Sequence, residues 1–154
     1  MNILLLSSIY PLPIGNKGTP VCHYFAKEWQ KMGHNVRVVH VQAVYPRYFY
    51  WIAQLAAKTI ASHTGALVYT ERDTGGKYEY EGIPVLRFPL FKYLPHSKYK
   101  ADSINLLLKT IINDNQQNSF IPDVLLGHFI NPSLEIISCL KNVYPNSVSA
   151  VISH

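Results

Sequence analysis

Five residues, Gly15-Asn16-Lys17-Gly18-Thr19, stand between a short apolar run and an amphipathic segment. Their types and order suit the binding of an anion or a sugar. Two glycines let backbone N–H groups approach a ligand closely, and Lys17 adds a positive charge. A helix starting there points the positive end of its dipole at the same place. Thr19 before Pro20 reads as an N-cap with proline at the first helical position. The stretch is neither GxxxxGK[ST] nor GxGxxG, so a P-loop and a dinucleotide fingerprint are not supported. A plain strand-to-helix connection would also explain the glycines. About 2–6 residues suffice for such a connection, and this loop runs longer.

Two histidines share a placement. His128 ends the run "DVLLGHF" and His154 ends "SVSAVISH". Both therefore fall at the carboxyl ends of expected strands, where open α/β sheets bind ligands. A neutral imidazole donates to or accepts from a sugar hydroxyl. A single histidine is more often a satisfied structural residue; a pair at equivalent places in successive units is harder to read that way. His23, His34, His40, His63 and His96 have no such shared placement, and His40, within a strand, reads as structural.

Other chemistries lack their residues. There is no GxSxG, and no Ser-His-Asp set can be assigned from spacing. The nine Asp and Glu are scattered and show no pair at strand ends for glycoside hydrolysis. Cys22 and Cys139 stand far apart with no CxxC, so zinc and dithiol motifs are missing and buried free thiols are expected. No metal is expected.

The elements that would position these groups follow from periodicity. At 154 residues, 48% hydrophobic and 15% charged, the chain is one domain with a real core. Residues 2–8 form an apolar run without alternation, as in a strand buried on both faces. Val21, Tyr24, Phe25, Trp29 and Met32 recur at helical spacing, and Gly33 closes that helix. "NVRVVHVQ", 35–42, is the next strand. A second helical stretch covers 46–63, and "LVYTERD" is a possible short strand. "KYEYEGIPVLRFPLF" alternates about Gly82-Ile83-Pro84 as two strands or edge pieces. A helix over 101–118, a strand over 123–129, a helix over 131–144 and a strand over 147–153 complete the order. The alternation predicts an α/β fold, a Rossmann-like open parallel sheet with helices on both faces. Ending on a strand, the chain reads as the N-terminal piece of something longer.

The net charge of +5 favours anionic partners. Two stretches combine aromatic and basic residues: "YPRYFYWIAQLAAKTIAS" and "LRFPLFKYLPHSKYK". Such composition suits a lipid headgroup interface or stacking on single-stranded nucleic acid. A core helix beside a solvated basic loop accounts for it equally. No run of about 18 apolar residues spans a membrane, and the N-terminus is too short in apolar residues for a signal peptide. A reducing, cytoplasmic setting is expected, at or near the inner face of a membrane.

In order along the chain, these pieces resemble a known family. "MNILLLSSIYPLPIGNKGTPVCHYFAKEWQKMGHNVRVVHV" is similar to the start of a family 4 retaining glycosyltransferase of GT-B fold. Gly33-His34-Asn35-Val36-Arg37-Val38 matches its GH-x-V-x-V. "YEYEGIPVLRFP" resembles its mid-domain piece, while "PDVLLGHF" and "AVISH" resemble its two histidine-ending strands. The resemblance implies one half of a GT-B enzyme. Residues 1–154 would be the N-terminal, acceptor-side domain, and the donor-binding C-terminal domain would lie outside this chain. It implies metal-independent transfer from a nucleotide-sugar to a glycan or lipid-linked acceptor with retained configuration, in surface polysaccharide or glycolipid synthesis. By resemblance His154 and His128 are the catalytic-site histidines, and Gly15, Asn16, Lys17, Gly18 and Thr19 line the cleft. No cofactor beyond the nucleotide-sugar co-substrate and no nucleic acid are implied. Many members carry Gly-Gly with an acid shortly after, where this chain has Gly18-Thr19-Pro20-Val21. The rival reading is a non-catalytic α/β module that binds a ligand or nucleic acid.

Overall fold

A computed structural model of the chain describes residues 1–12, 20–54, 74–94, 97–129 and 131–152. The chain runs β1 (Asn2–Ser7), α1 (Val21–Lys31), β2 (Asn35–Val44), helical residues 47–54 as α2, β3 (Gly76–Tyr80), β4 (Ile83–Phe91), α3 (Ala101–Gln117), β5 (Val124–His128), α4 (Ser133–Val143) and β6 (Val148–Ile152). The strands form one sheet in the order β3-β4-β2-β1-β5-β6. All neighbours are parallel except β3, which turns back antiparallel on β4. This is the Rossmann-like α/β sheet that the alternation predicts.

The apolar run of β1 explains its central place. Leu4 and Leu6 point to one face and Ile3 and Leu5 to the other, all buried. Each contributes about 2 kcal/mol by leaving water. On the first face α3 and α4 bring Ile104, Leu107, Ile111, Ile136, Ile137 and Leu140 against Leu4, Leu6, Val39, Val41 and Leu125. On the second face α1 packs Cys22 and Ala26 against Ile3, Leu5, Val36 and Val38. Gly127 lets α4 come close to β5. A Cβ there would lie 2.7 Å from Ile137 Cδ1 and 2.8 Å from Ser133 Cβ, so α4 rests on bare β5 backbone.

Two expectations about α1 need correction. Its apolar stripe does not face the core: Val21, Tyr24, Phe25 and Met32 are exposed, and only Trp29 of that set is half-buried. The buried residues are Cys22, His23 and Ala26. Small side chains let the helix sit close to the sheet, and the polar His23 finds partners there, so they displace the bulkier stripe. The N-cap is Pro20 itself, with no side-chain cap bond, and Val21 opens the helix; Thr19 lies outside the described residues. The far end matches expectation. Gly33 has φ +84°, its N–H reaches Gln30 O and the His34 N–H reaches Trp29 O, both at 3.0 Å. That is a Schellman motif, with glycine at its left-handed position.

The β3–β4 hairpin turns on Glu81 and Gly82, both at positive φ (48° and 80°). This is the primed turn that suits a two-residue hairpin. Lys27 Nζ and Gln30 Nε2 donate to Glu81 O and Gly82 O, fastening the turn to α1. The possible strand 67–73 and the later part of the 46–63 helix lie outside the described residues.

Candidate functional site

β1 and β5 end on polar residues, and β2 and β4 carry polar residues at the same level of the sheet before running on. Ser7 of β1 pairs in register with His40 of β2 and with His128 of β5, and His40 pairs with Arg87 of β4. In-register neighbours in a parallel sheet point the same way. Arg87, His40, Ser7 and His128 therefore form one polar rung across four strands, on the α1 side. The sheet's strand order reverses at β1 and β5, whose connections leave in opposite directions. Open α/β sheets bind ligands outside such a switch point, and here Ser7 and His128 flank it.

The rung is buried. His40 is 1% exposed, and neither ring nitrogen has a hydrogen-bond partner among the described residues. Burial, helped by the Arg87 charge, pushes its pKa from 6.5 down to about 4, with the Ser8 backbone acting in the other direction. His40 is thus a neutral imidazole at pH 7. His128 is buried as well, its ring edge-on to Phe129 at 4.6 Å between centroids. Phe129 has φ +74°. For a bulky residue that conformation costs about 1–2 kcal/mol, so the backbone just past His128 is held in place by its surroundings.

Ser7 ties the rung to α1. Its hydroxyl donates to Ile9 O at 2.7 Å and lies 3.3 Å from Cys22 Sγ in the first turn of α1. Burial pushes the Cys22 thiol up, with the Ser7 hydrogen bond only partly opposing it. Cys22 is therefore a packing thiol, not a nucleophile.

A second polar group sits beside the rung. Tyr10 Oη lies 2.8 Å from His23 Nδ1, and His23 Nε2 lies 3.1 Å from Glu81. The carboxylate takes the Nε2–H, which leaves Nδ1 to accept from the Tyr10 hydroxyl. The order hydroxyl, imidazole, carboxylate is that of a nucleophile relay. Tyr10 cannot serve as one. It is fully buried, and burial, with Tyr78 and other neighbours adding to it, raises its pKa far above the usual range. The His23 hydrogen bond holds Glu81 below the ordinary carboxylate range. The set works as a clamp joining the β1–α1 connection, α1 and the hairpin turn, with Tyr78 Oη adding a bond to Pro11 O.

Of the residues singled out in the sequence, His128 stands at the carboxyl end of β5 as expected. Gly15, Asn16, Lys17, Gly18, Thr19 and His154 lie outside the described residues. Ser7, Tyr10 and His23 are not singled out by the sequence, His40 reads there as structural, and Arg87 reads only as part of a basic, aromatic stretch. A signal for four of the rung positions exists: "ILLLS", "VRVVH", "IPVLR" and "VLLGH" each end an apolar run on a polar residue. Aligning the ends of these apolar runs would have found it.

Grooves lie elsewhere on the described surface. One of about 530 Å³ is lined by Ile112, Phe120 and Tyr144, and one of about 390 Å³ by Ile137, Ser149 and Val151. Neither is lined by an acid, a histidine or a cysteine. Among the described residues no three His, Cys, Asp or Glu gather as metal ligands, and no helix is long and apolar enough to cross a membrane.

Comparison of the chain with protein-family models, with curated proteins and with solved structures gave no match.

Proposed function

We propose that this domain is the acceptor-side half of a retaining glycosyltransferase, with the polar rung as the floor of its saccharide site. The observation that carries the reading is the juxtaposition of Ser7 and His128 at the switch point, with neutral His40 beside them. An uncharged imidazole such as that of His40 suits hydroxyl recognition better than a cation would, because it both donates and accepts. The resemblance in the order of sequence motifs supports the same reading.

In such an enzyme this half acts by orientation. It holds an acceptor hydroxyl against the sugar's anomeric carbon, which removes much of the entropy cost of a bimolecular step. The leaving diphosphate needs electrostatic stabilisation, and the donor-binding domain of the enzyme class supplies most of it. The rung contributes polarity under the reacting groups and a fixed geometry.

Saturation-transfer NMR with mono- and disaccharides, alongside calorimetry with UDP- and GDP-sugars, tests this. The expected result is saccharide contact that weakens about tenfold in His128→Ala, the loss of one neutral hydrogen bond, with nucleotide-sugar bound only weakly. Absence of saccharide contact, or contact unchanged in His128→Ala, would overturn the reading. A nucleotide-sugar dissociation constant near 1 μM, about −8 kcal/mol, would place the donor site here instead of the acceptor site. Tight binding of single-stranded oligonucleotide with a steep salt dependence would favour the nucleic-acid module.

A further inference from the structure

We propose that the outward face of α2 and the neighbouring residues 93–94 and 97–100 form a docking surface for an anionic phospholipid bilayer. This is independent of the saccharide reading, and a failure of either leaves the other standing.

The sequence of α2 leaves open which side is buried. The structure shows Tyr50 and Ala53 inward and Tyr48, Trp51 and Ile52 outward. The outward three are spaced i, i+3, i+4, so they form one stripe on the helix surface. Trp51 is 66% exposed. Tyr93 and Leu94, just past β4, are exposed as well.

Tyr45 brings the two pieces to the same end of the sheet. Its ring lies 4.6 Å from that of Phe49 of α2 in a tilted contact, and its backbone N–H donates to Tyr50 Oη. Across the sheet, Lys92 N–H donates to Val44 O, and Lys92 Nζ lies over the Tyr99 ring. Large outward apolar groups clustered this way usually mark an interaction surface.

Charge selects the occupant. Arg47, Lys98 and Lys100 are exposed in the same pieces, and Lys100 Nζ sits 4.7 Å over the Tyr93 ring. The chain has no acid from Val44 to Gln54 and none from Gly82 to Ala101. Among the described residues none of these three cations has an ion-pair partner. Tryptophan and tyrosine at headgroup depth, aliphatic tips below and long basic side chains reaching phosphates are what an interfacial helix presents. Nucleic acid would use the aromatic rings by stacking but gains nothing from Ile52 and Leu94. The bilayer uses all of them.

Vesicle sedimentation of the full chain with phosphatidylglycerol-containing and pure phosphatidylcholine vesicles tests the proposal. Binding is expected to the anionic vesicles at about 0.05 M salt and to be lost by about 0.5 M, where screening is short-ranged. Lys98→Ala with Lys100→Ala should lower the partition coefficient about 30-fold, from two surface cations. Trp51→Ser should lower it about tenfold. A Trp29→Phe background leaves Trp51 as the only indole, and brominated lipid should quench it. Four outcomes overturn the proposal. They are no binding at low salt, binding unchanged by both variants, oligonucleotide that displaces vesicles and still binds Trp51→Ser, and self-association that hides Trp51 without vesicle binding.

Discussion

His40 and Arg87 face each other in register on adjacent parallel strands, one a buried imidazole and the other a permanent cation. Neighbours of this kind settle a protonation state by placement. A proton on His40 would be buried and would stand beside a like charge, so the ring stays neutral across the physiological range.

That placement makes stability depend on pH. Unfolded, His40 takes a proton near pH 6.5; folded, it does so only near pH 4. Between those values the unfolded state binds more protons, so stability falls as pH falls. The full loss from this group is about 3 kcal/mol. Urea titrations at pH 7 and pH 4.5 should show most of it. His40→Leu should flatten the dependence in that window. An equally steep dependence in the variant would mean another group is responsible.

Asp114 of α3 offers a contrast between a buried partner and an exposed one. Its carboxylate, 5% exposed, takes Arg37 at 2.7 Å and Lys77 at 2.6 Å. Burial pushes its pKa up, but the two cations outweigh this and hold it below the usual value. Asp114→Ala leaves Arg37 unpaired in a mostly buried place and should cost about 3 kcal/mol. Lys77→Ala removes an exposed partner and should cost no more than about 1 kcal/mol. Equal costs in denaturant unfolding would show that the burial of Arg37 does not matter. The depressed carboxylate also predicts a further loss of stability as pH falls below 4, absent in Asp114→Asn.

β1, β2 and β5 were legible because they carry short apolar runs suited to a sheet buried on both sides, while β3 and β4 were legible only as alternating strands or edge pieces, although β4 lies inside the sheet. The helices were legible in position but not always in orientation. In α1 hydrophobicity alone selects Tyr24, Phe25 and Met32 for the core, while close packing selects Cys22 and Ala26. Spacing could not reveal the clamp, since Tyr10, His23 and Glu81 meet only after the hairpin folds over α1. His128 was legible because it ends a strand. His40 ends an apolar run too, but its strand continues to Val44, which hid the rung.

Gly127 should tolerate no side chain. A methyl group there would meet Ile137 Cδ1, Ser133 Cβ and Val151 Cγ2 at 2.7, 2.8 and 3.3 Å. These atoms belong to α4 and β6, so relief requires moving a helix away from the sheet. Gly127→Ala should cost about 1–3 kcal/mol by overpacking, a drop in Tm of several degrees for a domain of this size. The exposed Gly76 has open space at its Cβ position but φ +134°, so Gly76→Ala strains only the backbone at an edge strand. Scanning calorimetry should rank Gly127→Ala as the more damaging of the two.

The clamp between Tyr10 and His23 predicts non-additive costs. His23 is 3% exposed, and the Tyr10 hydroxyl at 2.8 Å is the donor its Nδ1 accepts from. Tyr10→Phe keeps the ring, and with it the edge contacts to His23 and Tyr80, but leaves Nδ1 buried without a donor. That should cost about 1–3 kcal/mol. His23→Leu should cost a similar amount, because it leaves the Tyr10 hydroxyl buried without an acceptor. The double variant leaves neither group unsatisfied, so its cost should fall below the sum of the two singles by about 1 kcal/mol or more. Glu81→Gln retains a carbonyl oxygen for the Nε2–H in an exposed turn and should cost less than Tyr10→Phe. A double-mutant cycle by urea unfolding reads all four proteins. Additive single costs would mean that Tyr10 and His23 merely pack side by side, and that the hairpin turn is held to α1 by Lys27 and Gln30 without them.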